Sequence, residues 1–227
     1  MANNDYLDIP SWDKRWMIHR CALKAYKKYA LPYVKGRLLD IGCGKKPMEN
    51  FLKDHVTEHV GLDHRDSFHG LERVDVVGSA YDSTLPSESF DTILCSAVLE
   101  HLEEPEAAIR EAHRLLKPNG FAIYTVPFFW HLHEEPRDFY RFTKYGLEYL
   151  FKKADFQNVD LYELSGFWVT WGTMFNYYMD STLGKYTITR FLSFVLIICN
   201  NYICSNLDRI FKAKKFTWMY LLIAKKS

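Results

Sequence analysis

Arg37-Leu38-Leu39-Asp40-Ile41-Gly42-Cys43-Gly44 decides the fold. Residues 37–41 are a short apolar run without helical spacing, which reads as a buried strand. It carries Asp40 into a Gly-x-Gly turn, where glycine permits a tight bend and a close ligand approach that a Cβ would block. A helix containing Met48, Phe51 and Leu52 is predicted next. Working outward, residues 59–63 (HVGLD), 74–77 (VDVV), 91–95 (DTILC) and 121–126 (FAIYTV) read as further strands. Between the last two, Pro105 suits a first helical turn, and Ala108, Ile109, Ala112, Leu115 and Leu116 share one face. Lys117-Pro118-Asn119-Gly120 then stops that helix.

Strands alternating with helices predict an α/β fold, doubly wound, with a mainly parallel sheet. Thr143 can cap a helix whose apolar stripe is Leu147, Leu150, Phe151 and Ala154. Residues 156–164 and 216–224 bring the strands to seven. In the first thirty residues, Trp12, Trp16, Leu23, Tyr26 and Ala30 fall on one helical face, and Pro32 ends the segment. The expected organisation is an N-terminal helical cap (1–35), a sheet domain (36–164 and 216–227), and an aromatic insertion or lid (165–215).

Asp63 ends the strand after the glycine turn, where a carboxylate can accept both hydroxyls of a ribose. Asp40, Gly42, Gly44 and Asp63 together suggest a nucleoside-containing cofactor at the carboxyl ends of the strands. A NAD fingerprint needs a third glycine to seat pyrophosphate on a helix N-terminus, and Pro47 stands there instead. S-adenosylmethionine carries no phosphate. Its ammonium and sulfonium suit the extra acid, Asp40.

Composition narrows the function classes. The chain has 227 residues, 48% hydrophobic and 16% aromatic, enough for a sizeable core. Charged residues make up 25%, which excludes disorder as the main state. With 29 Lys plus Arg against 28 Asp plus Glu, no global grip on nucleic acid is indicated. The five cysteines form no CxxC pair, so neither a disulfide framework nor a zinc knuckle is expected. Free thiols fit a reducing compartment, and MANNDYLDIPSWDKRW lacks the apolar run of a secretory signal. The expected location is the cytoplasm.

DIGCG, GLDHRD and GSAYDSTLPSESFDTILCSAVLEHLEEPEAAIREAHRLLKPNGFAIYTVP resemble the core of the class I S-adenosylmethionine-dependent methyltransferases, type 11 family. The resemblance covers about residues 37–126 and implies a Rossmann-like fold, S-adenosylmethionine as cofactor, and methyl transfer. It implies that Asp40, Gly42 and Gly44 line the methionine moiety, that Asp63 holds the ribose, and that His64 flanks the adenine. Ser79, Ala80 and Tyr81 would lie beside the adenine ring. Cys95, Ser96 and Ala97 would pass under the sulfonium. The chain departs from the family pattern at Ser79, often an Asp, and at Asn119 and Asp155, often glycines. No Asn/Asp-Pro-Pro-Tyr/Phe segment follows the fourth strand, which speaks against amino methylation of nucleic-acid bases.

Acceptor-side groups should come from the loops after the fourth and fifth strands. His101 lies in the first, with hydrogen bonding to nearby backbone as its plainer role. His131 and His133 lie in the second, on one side of an extended segment, and are expected as general-base candidates. Arg137 and Arg141 could clamp an anionic substrate group, or pair with Asp138. No metal site is expected, because methyl transfer needs no Lewis acid and no further spaced ligand set is visible. This loop with RFTKYGLEYLFKKADF resembles a subset of type 11 enzymes of bacterial surface-polysaccharide pathways. That resemblance implies a sugar hydroxyl as acceptor, on a small molecule or a nucleotide- or lipid-linked glycan. A lipophilic, quinone-like acceptor and a non-catalytic cofactor-binding scaffold are the alternatives. Residues 191–199 (FLSFVLIIC) are too few to span a bilayer at ~1.5 Å per residue. They are expected to cover the sheet, form a homodimer face, or lie in a membrane plane with Lys212, Lys214 and Lys215 at the head groups.

Overall fold

Seven strands form one sheet in the order β3-β2-β1-β4-β5-β7-β6. In the computed structural model, which describes residues 9–183 and 187–227, they are β1 (Gly36–Ile41), β2 (Val56–Asp63), β3 (Val76–Val77), β4 (Phe90–Ser96), β5 (Leu116–Pro127), β6 (Gln157–Glu163) and β7 (Met219–Lys225). Residues 1–8 of the expected cap and 184–186 of the expected lid lie outside the described residues. β1 pairs in parallel with β2 and β4, and the parallel ladder continues to β3 and β5. β7 runs antiparallel between β5 and β6. The chain moves outward from β1 to β3, then crosses back to β4 on the other side. That reversal opens a crevice at the carboxyl ends of β1 and β4.

Side chains alternate between two cores. Leu39, Ile41, Ile93, Cys95 and Tyr124 face one side, with residues of α3 (Pro105–Leu115) and α4 (Lys144–Lys153). Leu38, Leu94, Ile123 and Leu221 face the other, with α1 (Trp16–Ala25) and α5 (Phe167–Thr182). This is the two-residue period of a strand buried on both faces. The predicted α3 stripe is buried throughout, from Ala108 to Leu115. Thr143 caps α4 by accepting from Gly146 N at 3.1 Å. Asn119 (φ 62°) and Asp155 (φ 64°) adopt the left-handed geometry that the family's glycines would supply.

Several boundaries differ from the sequence expectation. The helix after the glycine turn is a single turn, α2 (Glu49–Leu52). Lys46 at φ 50° and the following Pro47 delay it, and β2 already begins at Val56. The turn at 117–120 interrupts the register of β5, where Leu116 pairs with Phe90 and Phe121 with Thr92. α1 passes into a π-turn (Tyr26–Ala30) before a 3-10 turn holding Pro32. Trp12 precedes the helix and is exposed, whereas Trp16, Tyr26 and Ala30 are buried.

The insertion is helical, as expected, but its second helix overturns the expected length. α6 (Thr187–Ile210) runs straight through Asn200 and Asn201. Its stretch Thr189–Ile210 has a mean hydropathy of 1.3 and is long and apolar enough to cross a membrane by length and composition. The helix is nevertheless fastened by polar groups. Asn201, fully buried, donates to Ser11 O (2.9 Å) and accepts from Asn176 Nδ2 (2.8 Å). Asp208 accepts from Gly166 N (3.0 Å) and Val169 N (3.2 Å), capping α5. Ser193 and Cys204 are also buried, while Phe191, Leu192, Phe194 and Ile203 are exposed. α6 therefore turns Ser193, Asn201 and Asp208, together with Ile197 and Cys204, toward its neighbours and leaves Phe191, Leu192, Phe194 and Ile203 toward the outside.

Candidate active site

The crevice is floored by the glycine turn. Gly42 sits at φ 68°, and a Cβ there would lie 2.4 Å from Val98 Cγ2. Glycine is required both by the backbone angle and by Val98. Gly44, at φ 48°, donates its N–H to Asp63 Oδ2 at 2.8 Å, and Asp63 Oδ1 accepts from His64 N at 2.7 Å. The loop and the end of β2 are thus tied through one carboxylate. A carboxylate offers about four lone-pair sites, so Asp63 retains acceptors for a ligand.

Two cavities meet along Gly42, Asp63, His64 and Val98. The larger, ≈430 Å³, is also walled by Asp40, Gly44, Ser96 and Ala97. The smaller, ≈190 Å³, is walled by Ser79, Ala80, Tyr81 and Phe139. His101, Leu102 and Arg137 border both. Asp40 is 3% exposed and meets His59 Nε2 at 3.0 Å. Burial pushes its carboxyl pKa up, against the hydrogen bond and charge of His59 and the charge of Lys46. Ala97 adopts φ 53°, a left-handed angle costly for a residue with a Cβ, where β4 reaches the cavity. No residue of α5 or α6 lines either cavity; the helical insertion flanks the sheet instead.

The acceptor side is built from side chains. Glu100 is fully buried, and neither carboxylate oxygen has a hydrogen-bond partner. Burial pushes its carboxyl up to about 8, only partly opposed by its own backbone amide and by the charge of Arg141. His101 Nε2 lies 3.8 Å and His133 Nε2 3.9 Å from Glu100 Oε1. The two imidazole rings meet edge to face at 4.6 Å. Glu134 Oε2 approaches His101 Nε2 at 3.9 Å. Burial lowers the His133 pKa, helped by the charge of His101 and opposed by Asp138.

Three sequence expectations change here. Cys95 does not face the cofactor space. It is 1% exposed within the core beneath the sheet, because alternation along β4 turns Leu94 and Ser96 to the cavity and Cys95 away. His131 lines neither cavity; its ring packs on Trp130 and Tyr177, and its Nδ1 donates to Leu132 O at 2.8 Å. The Arg141 guanidinium is held by Asp138 (2.6 and 2.8 Å), His131 O and Trp130 O, so it braces the loop rather than clamping a substrate. Its hydrogen bonds, against some desolvation, hold the Asp138 carboxyl well below the usual carboxylate range. Arg137 borders both cavities, half-exposed, with Asp66 Oδ2 at 3.9 Å as its ion-pair partner. Glu100 and Glu134 were missed in the sequence. Glu100 reads there as one acid in the charged run LEHLEEPE, and nothing local marks it as the buried one.

A doubly wound sheet with a nucleoside-type crevice at its switch point defines a class of cofactor-binding proteins. Residues 39–124 match the family model described as a methyltransferase domain. This part of the chain is thus similar to a methyltransferase domain, in line with the resemblance read from residues 37–126. The chain is 31% identical over 127 residues to a ubiquinone biosynthesis O-methyltransferase of Alkalilimnicola ehrlichii, covering 50% of this chain and 48% of that one. A protein of the same name from Pseudomonas entomophila is 29% identical over 128 residues, 51% and 52% of the two chains. The chain thus spans about half the length of the curated relatives it matches. In fold, it is similar to a SAM dependent methyltransferase from Archaeoglobus fulgidus, with TM-score 0.58, 19% identity, and 94% and 95% of the two chains covered. The cyclase SpnF shares the fold at TM-score 0.56 and 21% identity, covering 92% of this chain and 80% of that one. Fold alone therefore does not name the reaction.

Proposed function

We propose that the protein transfers the methyl group of S-adenosylmethionine to a hydroxyl of a small-molecule acceptor that is lipid-linked or lipophilic. One observation carries this reading: His101 borders the same cavity as Asp40, Gly42, Gly44 and Asp63, so an acceptor-side base stands at the cofactor space. In this reading Asp40 and the glycine loop take the methionine end, Asp63 the ribose, and Ser79, Ala80 and Tyr81 the adenine. When bound, the cofactor supplies an electrophilic methyl on sulfur. The chain's part is to align the hydroxyl with it and pass the hydroxyl proton to the His101–Glu134 rim of the cavity. Arg137 meets an anionic portion of the acceptor.

A sugar hydroxyl on a lipid-linked glycan and a quinol-type hydroxyl both satisfy this chemistry. The relatives' O-methyltransferase name favours the second, and the loop at 131–141 the first. The outward apolar face of α6 supports a lipid-borne acceptor in either case, with Lys212, Lys214 and Lys215 beyond its end suited to anionic head groups. Calorimetry with S-adenosylhomocysteine, then methyl-transfer assays against quinols, lipid-linked sugars and nucleotide-sugars, test the reading. Cofactor binding with turnover of one acceptor class supports it. Binding without any turnover favours a cofactor-binding scaffold, and no binding overturns both. Co-sedimentation with anionic vesicles tests the lipid contact; a concentration-dependent homodimer that hides α6 and ignores vesicles would overturn it.

A further inference from the structure

We propose that Glu100, His101 and His133 form a divalent-cation site beside the cofactor cavity. One donor atom from each lies within 4.8 Å of the other two. The placement of the two rings turns both Nε2 atoms to one spot. His101 Nδ1 lies 2.7 Å from Arg137 O. A carbonyl oxygen can only accept, so Nδ1 carries a proton and Nε2 is the atom turned toward Glu100. His133 Nδ1 stands 3.3 Å from Asp138 Oδ2, and its Nε2 faces Glu100 Oε1.

Two imidazole nitrogens and a carboxyl oxygen therefore converge. Glu100 has no exposure and no hydrogen-bond partner on either oxygen, and His101 Nε2 is likewise buried and unpartnered. Buried polar atoms left without partners are costly, and a bound cation would satisfy all of them at once. Donors around a tetrahedral ion at bond lengths of about 2.0–2.1 Å stand roughly 3.3 Å apart. The observed 3.8 and 3.9 Å need only a small inward rotation of the side chains.

The surroundings match a metal centre's outer layer. Asp138 beside His133, and the Arg137 carbonyl under His101, occupy the positions of the groups that orient metal-bound imidazoles. Glu134, with its side chain 37% exposed, stands at the rim beside His101 and leaves the fourth position of the ion open. Two nitrogens and a carboxylate oxygen suit Zn²⁺ or a neighbouring first-row divalent ion better than Ca²⁺ or Mg²⁺, which favour all-oxygen sites. The donors come from loops after two different strands, which is why no spaced ligand set is visible along the sequence.

A chemical role follows that rests on the methyl-transfer reading above. The ion would take the acceptor's hydroxyl oxygen in its open position and make that oxygen easier to deprotonate. The proton leaves through Glu134 to water as the oxygen–methyl bond forms. The methyl–sulfur bond breaks with its electron pair staying on sulfur, which becomes the neutral thioether.

The test is metal binding itself. Chelator-stripped protein is titrated with Zn²⁺ by calorimetry and with Co²⁺ by visible absorption. About one ion per chain is expected, with a ligand-field band for Co²⁺. Glu100→Gln and His133→Ala should each lose at least tenfold in affinity, and Asp138→Asn about 10–100-fold, while His131→Ala binds as wild type. Circular dichroism and S-adenosylhomocysteine affinity confirm that each variant is folded. No stoichiometric uptake, or unchanged affinity in folded Glu100→Gln and His133→Ala, overturns the site and leaves a shared proton as the occupant. Homocysteine-cofactor binding that persists while metal binding fails would sink this proposal alone. Failure of cofactor binding with metal binding intact would sink the methyl-transfer reading alone.

Discussion

The two walls of the crevice are made in opposite ways. The cofactor wall is mostly backbone: Gly42 and Gly44 in left-handed geometry, an amide held by Asp63, and short segments at the ends of β1, β2 and β3. The acceptor wall is side chains: His101 from the loop after β4, Glu134 and Arg137 from the loop after β5, with Glu100 and His133 packed behind His101 rather than lining the cavity. Backbone turned by glycines offers a fixed surface with little to adjust. Long side chains on loops can be exchanged without disturbing the sheet, so specificity and chemistry gather there.

The largest expected effect tests that division directly. Glu100→Gln should lower methyl transfer by about 10²–10⁴-fold while S-adenosylhomocysteine affinity stays within about twofold, read by steady-state kinetics and calorimetry. Equal losses in both would mean that the walls are not separable.

A second contrast, between α3 and α6, predicts the next largest effect. α3 turns its apolar stripe inward, and Ile109 is fully buried. α6 turns polar groups inward and leaves Ile203 57% exposed. Ile109→Ala should cost about 2–5 kcal/mol in urea unfolding, and Ile203→Ala under about 0.5 kcal/mol. Ile203→Asp should leave stability similarly untouched yet abolish sedimentation with anionic vesicles. A large stability loss there would mean that the outer face of α6 packs against protein.

On the cofactor wall, Asp63→Ala removes an acceptor worth about 1.5–3 kcal/mol, so S-adenosylhomocysteine should bind about 10–100-fold more weakly in calorimetry. The smallest effect is expected far from both walls, at Asp91. Burial raises its pKa, but Lys117 (2.9 and 3.0 Å) and Arg37 N (2.9 Å) outweigh burial and hold the carboxyl below its usual range. A pKa lower in the folded state means stability that is present above the unfolded value of about 4 and lost as pH falls through the folded value. Asp91→Asn should therefore cost under about 1 kcal/mol at pH 7 and flatten the decline in urea midpoint below pH 4. An unchanged acid slope would show that another group sets it.

Sequence alone determined the sheet, the glycine turn beside Asp63, and α3 and α4, because each rests on a local rule. Residues 37–44 specify strand, acid and glycine turn in one contiguous run. Asp63 is marked by its place at a strand end, and the α3 stripe by its period. Asn119 and Asp155 were legible as turn residues because their short polar side chains tolerate a left-handed backbone. Tertiary structure decided what depends on which way a side chain turns or on segments distant along the chain. Alternation along β4 sent Cys95 into the core. Packing on Tyr177 drew His131 away from the site, and Asp138 took up Arg141. Glu100 and His133 stand 33 positions apart in sequence and meet only because parallel pairing of β4 with β5 brings the loops after them together. The direction of α6 was equally hidden, since an apolar run carries no sign of which neighbour it faces. Buried Asn201 and Asp208 turned its polar side inward and its apolar side out.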